Sequence, residues 1–459
     1  MPTSGATFVR WGARHGLARR VIRAGARAGD MHAKLAWDDS LRADPYPYYD
    51  RIRERGLIVP GRLAMMTAHH QVAADILRDE RFAVGFPIEN VPPRVLKILA
   101  RVRDEAVLGP LEPPSLLAVN GADHTRLRRL VSRAFTARAV ERLSGRVEEI
   151  ATTLLDDLER GHRDGSPVDL VAAYAGALPA LVIADMLGVP GELHATFLRW
   201  GHAIAPTLDA GVPFGVYRQA EDATRQLNAW LHGHFERLRR DPGDGILGGI
   251  VALASADGTG TRAADGTGSG PTLTDLELTS ISGLLLAAGF ETTVNLIGNG
   301  VVALLAHPDQ LDALRAAPAG WRNAVEEILR FDAPVQFVGR HPTVDTVVHG
   351  VPVPRHHFVA IVVGGANRDP AVFADPHRFD VTRANAREHL GFSAGPHFCL
   401  GAALARLEGE IGLRLLFERF GGVQIAGLPT RRPTRVLRGY EHLPVALRAR
   451  IPAAAPSPG

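Results

Sequence analysis

Phe392-Ser393-Ala394-Gly395-Pro396-His397-Phe398-Cys399-Leu400-Gly401 holds the only cysteine in the 459 residues. Gly395-Pro396 makes a turn. From Ala402 the run Ala-Ala-Leu-Ala-Arg-Leu-Glu is built from strong helix formers, so Cys399 is expected at a helix N-terminus. The dipole and free N–H groups there favour a thiolate and lower its pKa. Taken alone, such a cysteine is a buried thiol, a nucleophile or a metal ligand. A nucleophile needs a histidine base and an orienting Asn or Asp. His397 stands two residues away, but nothing identifies the orienter. As a ligand, the sulfur would be tuned by backbone donors. Gly401 would let a flat macrocycle lie against the helix backbone.

One cysteine excludes an intrachain disulfide and a cysteine-rich zinc site, and it fits a reducing compartment. The 52 Lys+Arg nearly balance 49 Asp+Glu, giving a net charge of +3. A nucleic-acid binder carries a stronger and more clustered excess. Apolar residues are 46% of the chain, enough for a large core.

Upstream, Thr274 with Glu277 reads as a capping box. Apolar residues then run to Ala306, ahead of Pro308. A helix over 275–306 is about 48 Å long and crosses a whole domain. That argues for one large unit rather than the three that length alone suggests. Its middle is Ala288-Gly289-Phe290-Glu291-Thr292-Thr293. Thr292 can turn its hydroxyl onto the Ala288 carbonyl and loosen the helix, while small residues at 288 and 289 open a gap. Glu291 and Thr292 then place a carboxyl and a hydroxyl beside that gap. The pair is either a proton relay or a kink with a solvated glutamate. Glu327 and Arg330 lie three apart on another helical face, among Ile328, Leu329 and Phe331. An exposed pair of this kind contributes little; a buried one needs a further partner.

Residues 1–36 form a basic extension. Its first 29 residues carry six arginines and no acid, with Phe8, Trp11, Val21 and Ile22 among them. The arginines interrupt any secretory apolar core. The segment reads as a solvated or packed helix, or as one lying on a membrane surface. No uninterrupted apolar run reaches membrane-span length; the best, 281–290, stops at Glu291. Residues 87–114 look like a proline-rich loop, 256–271 like a flexible surface loop, and β-like runs stand at 344–353 and 358–363.

In this order and spacing, the three motifs resemble the cytochrome P450 superfamily, over about residue 44 to the C-terminus. The chain looks closest to mycobacterial or actinobacterial members, which share the basic extension and the run Ala287-Ala288-Gly289-Phe290-Glu291-Thr292-Thr293-Val294-Asn295-Leu296. The resemblance implies one domain over 37–459, mainly α with small β-sheets (α+β), its long central helix crossing over the haem. It implies haem b (iron protoporphyrin IX) with Cys399 as the iron ligand. Phe392 would pack near the sulfur, and Ala288 and Gly401 would lie against the macrocycle. His124, Arg128, Arg340 and His397 would hold the propionates. Glu327, Arg330 and Arg378 would form a structural triad behind the cysteine loop, and Glu291 and Thr292 would deliver protons to dioxygen. Ser393 departs from the usual glycine, which puts the loop's backbone angles in question.

The implied activity is that of a cytoplasmic oxidoreductase, a monooxygenase. It inserts one oxygen atom from O2 into a lipophilic small molecule. No glycine-rich dinucleotide loop opens a reductase domain, so electrons are expected from a ferredoxin and its NAD(P)H-dependent reductase. A stripe of Arg126, Arg129 and Arg133, with Arg406 nearby, could attract an acidic ferredoxin. Substrate contacts are expected from 87–117, 197–214, Leu284, Leu285, Ala288 and 335–338. A haem-binding sensor would need Cys399 but not Glu291 and Thr292; a peroxide-driven oxidase often lacks that pair.

Overall fold

The structure is a computed structural model that describes residues 4–449, apart from 88, 90, 92, 133–134, 163–164, 244 and 256–272. The loop expected at 256–271 lies outside the described residues. The fold is organised by the helix Asp275–Ala306. The Thr274 hydroxyl accepts from Glu277 N–H at 3.2 Å, and the Glu277 carboxylate accepts from Thr274 N–H at 2.9 Å. These reciprocal bonds satisfy donors that a helix start leaves unpaired. Helices Ala177–Met186, His194–Ile204, Phe214–Arg240, Trp321–Phe331 and Ala402–Arg419 pack around it. Glycine permits two of the crossings. A Cβ on Gly201 would stand 2.1 Å from Phe290, and one on Gly300 would stand 2.9 Å from Ile328 and Leu413. By length and composition the central helix could cross a bilayer, yet 67% of its most apolar window is buried inside the protein. It is the core of this fold.

Small sheets flank the helices. The largest has the order Met65–Thr67, Val359–Val362, Phe337–Pro342, Phe82–Ala83, with its first pair parallel and the others antiparallel. A three-stranded antiparallel sheet joins Val168–Asp169, Pro444–Ala449 and Phe420–Ile425. The mainly α architecture with small sheets is therefore present, and the β-like runs at 344–353 and 358–363 contain the strands Thr346–Val348, Val351–Val353 and Val359–Val362.

The stretch 87–114 is not wholly a loop. It contains the helix Pro93–Val102 and a 3₁₀ turn Glu105–Val107. Pro93 opens the helix at a position that has no intrahelical N–H bond to lose. Val95, Leu96, Leu99 and Val102 form its half-buried side.

The N-terminal arm, Ser4–Trp11, Gly12–Gly16 and Leu17–Arg27, docks on Phe214–Arg240 and the segment before it. Arg10 Nε donates to Glu221 Oε2 at 2.8 Å, with both side chains buried. Trp11 Nε1 donates to the Val212 carbonyl at 2.9 Å.

Candidate active site

The cysteine loop is pinned by backbone bonds. Cys399 N–H donates to the Phe392 carbonyl at 2.9 Å, and Ser393 N–H to the Leu390 carbonyl at 2.8 Å. Gly395 has φ +66°, and a Cβ there would meet the Leu77 carbonyl oxygen at 2.4 Å. Ser393 adopts φ +62°, so it occupies a backbone region that favours glycine. Its hydroxyl is buried without a hydrogen-bond partner among the described residues. Ser393→Gly should therefore stabilise the protein by about 1 kcal/mol. A thermal melt of the two proteins measures it; an unchanged or lower Tm would contradict the strain.

Cys399 stands just before the helix Ala402–Arg419, as expected. Its thiol pKa departs from expectation. Burial pushes it up, and the Gly401 N–H, Arg128 and Arg406 only partly pull it back. The side chain is nevertheless accessible. Accessibility combined with desolvation places the sulfur in a recess enclosed by protein, not on the outer surface. The helix end alone does not make a thiolate here; a coordinated metal deprotonates a thiol outright. Phe392 is buried, with the Arg406 guanidinium 4.5 Å from its ring centroid.

Four basic side chains converge beside this recess. His124 and Arg128 come from the helix Gly121–Ser132, Arg340 from the strand Phe337–Pro342, and His397 from the cysteine loop. The His124 and His397 ring centroids are 4.0 Å apart. Burial pushes His397 down to about 3, helped by His124, Arg340 and Arg128. Burial also lowers His124, with Arg128 and Arg340 adding to it. It pushes Arg340 down to about 10. Arg340 Nη1 reaches the Gly339 carbonyl at 2.9 Å, and Arg128 Nη2 the Phe398 carbonyl at 2.6 Å. No carboxylate pairs with either arginine among the described residues. Buried cations without an anion are costly. This cluster is built to receive negative charge.

Behind the loop, Arg330 grips Glu327 through Nε–Oε2 at 2.6 Å and Nη2–Oε1 at 2.7 Å, both side chains fully buried. The third member is Arg383, not Arg378. Arg383 Nε stands 3.2 Å from Glu327 Oε2, and its Nη1 donates to the Ala374 carbonyl at 2.6 Å. Arg378 is exposed and contributes only its carbonyl, which accepts from Arg330 at 3.0 Å and from Arg383 at 3.1 Å. The clamp reaches the cysteine loop through Asn367. Arg330 donates to its carbonyl at 3.1 Å, and its Oδ1 accepts from Leu390 N–H at 2.7 Å.

On the central helix, Thr292 Oγ1 donates to the Ala288 carbonyl at 2.9 Å, as anticipated. Ala288 is exposed although most of the helix is buried. Glu291 does not share that opening. It is buried, 3.1 Å from His202 Nδ1 and 2.9 Å from Arg432 Nε, with neither contact aligned as a hydrogen bond. Sequence reading missed His202 and Arg432, which lie far from Glu291 in the chain. It also missed Glu408, a buried acid pushed well up by burial, next to Thr293.

The expected ferredoxin stripe is only partly free. Arg126 pairs with Glu277, and Arg406 Nε donates to Glu326 at 2.8 Å. Arg129 is exposed, and Arg133 lies outside the described residues. Within 197–214, Phe197 is 2% exposed and packs on Trp200 and Trp230 as core, so it is no substrate contact.

A haem fits these residues. The acid-free cations match two propionates, and Cys399 offers the sulfur. A Cβ on Gly401 would meet nothing within 4 Å, so the backbone there is open to a flat ring. The fold and site thus define a haem-thiolate protein. The family model for cytochrome P450 matches residues 321–425. The chain is 46% identical over 437 residues to the putative cytochrome P450 140 of Mycobacterium tuberculosis, covering 95% of this chain and 97% of that one. It is 38% identical over 424 residues to the 6-deoxyerythronolide B hydroxylase of Saccharopolyspora erythraea, covering 89% and 97%. P450BioI, solved in complex with hexadec-9Z-enoic acid ligated acyl carrier protein, superposes with a TM-score of 0.78 at 31% identity, covering 89% and 100%. The chain belongs to the cytochrome P450 family. It is a haem-dependent monooxygenase.

Proposed function

We propose that the enzyme oxygenates a lipophilic small molecule in the cytoplasm. It would use haem b on Cys399 and take electrons from a ferredoxin and its NAD(P)H-dependent reductase. Residues 37–459 serve as one catalytic unit, with 1–36 as a basic extension whose described residues, from Ser4 onward, dock on it. The observation that carries this reading is the acid-free cluster of His124, Arg128, Arg340 and His397, of which Arg128 also acts on the Cys399 sulfur. When bound, the haem supplies activation of O2 for oxygen-atom transfer. The protein's own residues orient substrate, exclude water and move protons.

Thr292 holds its hydroxyl at the opening beside Ala288. Glu291 holds a carboxylate one residue away, under His202, whose side chain is 39% exposed. His202 is the solvent end of a path along which a proton passes to Glu291 and then to Thr292. Arg432, on the other carboxylate oxygen, keeps Glu291 turned aside until the path is used. Leu285 and Val338, both partly accessible, and exposed Ala288 give the substrate apolar contacts. A lipophilic substrate also agrees with the relatives, one named for hydroxylating 6-deoxyerythronolide B and one solved with a fatty acyl chain. The partners and haem b rest on the family resemblance.

The test uses a compound that shifts the haem spectrum on binding. Thr292→Ala should keep consuming NAD(P)H while product per NAD(P)H falls at least about tenfold and hydrogen peroxide rises. Unchanged coupling would overturn the proton-delivery role.

A further inference from the structure

The N-terminal arm shows two opposite faces. Arg10 and Thr7 bury themselves on Glu221, so the arm is fixed to the body. The outer face of its second helix, Leu17–Arg27, is built differently. Leu17 is 52% exposed and Val21 42% exposed. With Ala24 and Ala28 they stand at i, i+4, i+7 and i+11, one solvent-facing apolar stripe. Arg20, Arg23 and Arg27 are also exposed and run along one side of that stripe. None of the three is ion-paired among the described residues; Arg23 lies over the Trp37 ring at 5.7 Å. In the preceding helix Phe8 and Val9 are exposed at 54% and 40%. The neighbouring helix Pro93–Val102 adds Arg94, Lys97 and Arg101, with Ile98 45% exposed among them.

Amphipathic helices of ordinary globular proteins turn the apolar stripe inward. Here a helix held down by its other side presents apolar groups flanked by cations to solvent. Residues 4–29 and 93–102 contain no Asp or Glu. Asp30, the first acid, is turned inward, where it accepts from Ala33 N–H and Arg62 N–H at 2.8 Å each.

We propose that this arm is a peripheral membrane-binding face that docks the enzyme on a bilayer rich in anionic lipid. The arginines meet the headgroups, while Leu17, Val21, Phe8 and Val9 enter the headgroup–acyl boundary. Charge complementarity selects the lipid. Exposed arginines and apolar groups on stretches that carry no acid of their own match an anionic interface, whereas a second copy of this face would repel it.

Full-length, haem-loaded protein is floated with vesicles of phosphatidylglycerol or of phosphatidylcholine, at low and high salt. Binding to phosphatidylglycerol alone, weakened by salt, is expected. Each basic residue near an anionic surface multiplies binding about fivefold. Arg20→Glu with Arg27→Glu should therefore reduce it at least about thirtyfold. Leu17→Asp with Val21→Asp should also abolish it, and an intact haem spectrum certifies that each variant is folded. The proposal is overturned by absence of vesicle binding, by equal binding to both lipids, or by undiminished binding of the charge-reversed protein. It is equally overturned if the face proves to be a dimer contact or a site for an acidic protein while vesicles stay free.

Discussion

Arg383→Ala should cost about 3–5 kcal/mol of stability, whereas Arg378→Ala should change it by less than about 0.5 kcal/mol. Removing Arg383 leaves Glu327, which has no exposed side-chain surface, with one cationic partner instead of two. It also takes the Arg383 donors from the carbonyls of Ala374 and Asp375, held at 2.6 and 3.2 Å, and leaves the Arg378 carbonyl with Arg330 alone. Arg330 still holds Glu327, so the size of the effect comes from breaking a buried three-member network and leaving backbone acceptors without their donor. Arg378 is exposed and uses only its backbone, which alanine keeps. Because Asn367 links the clamp to Leu390, the Arg383 variant should also bind haem poorly. Urea unfolding of both variants is the check. Equal losses, or a larger loss for Arg378→Ala, would contradict the assignment.

The second large effect has opposite signs in the two forms of the protein. Arg340 is buried, and desolvation alone accounts for its lowered pKa. Without an anion its charge destabilises the fold. With an anion it contributes a charge-assisted bond of about 1.5–3 kcal/mol. Arg340→Met should therefore raise the Tm of the haem-free protein and, in the loaded protein, accelerate haem transfer to an acceptor about tenfold or more. Calorimetry of the apoprotein and the haem-transfer rate are the two readouts. A variant less stable without haem and unchanged in haem retention would show that Arg340 serves packing alone.

Much of this site was legible because its signals are local. The capping box at Thr274 and the apolar run to Ala306 fixed the central helix, and its middle announced the Thr292 bond to Ala288. The turn at Gly395-Pro396 and the helix formers after Gly401 placed Cys399. The errors came where distant segments decide. Arg378 and Arg383 both follow Pro376 closely, and only the path of the backbone selects which guanidinium turns inward. Adjacency in sequence did not show that helical geometry points Glu291 and Thr292 apart at rest, nor that His202 and Arg432 arrive from other elements to hold the carboxylate aside. The thiol's pKa was misjudged because a helix end can be read from sequence, whereas desolvation depends on packing. Arg126 and Arg406 looked available for docking because Glu277 and Glu326 lie about 150 and 80 residues away. In the arm, arginine spacing showed an amphipathic helix but not which side would be covered.

The account depends on the Cys399 sulfur bonding directly to haem iron. Purified protein should be reduced, exposed to carbon monoxide and its difference spectrum recorded beside that of Cys399→Ser. The wild-type chain should give the red-displaced Soret band of sulfur-ligated haem, and the variant should lose it. A folded, haem-loaded wild-type protein without that band would contradict the account.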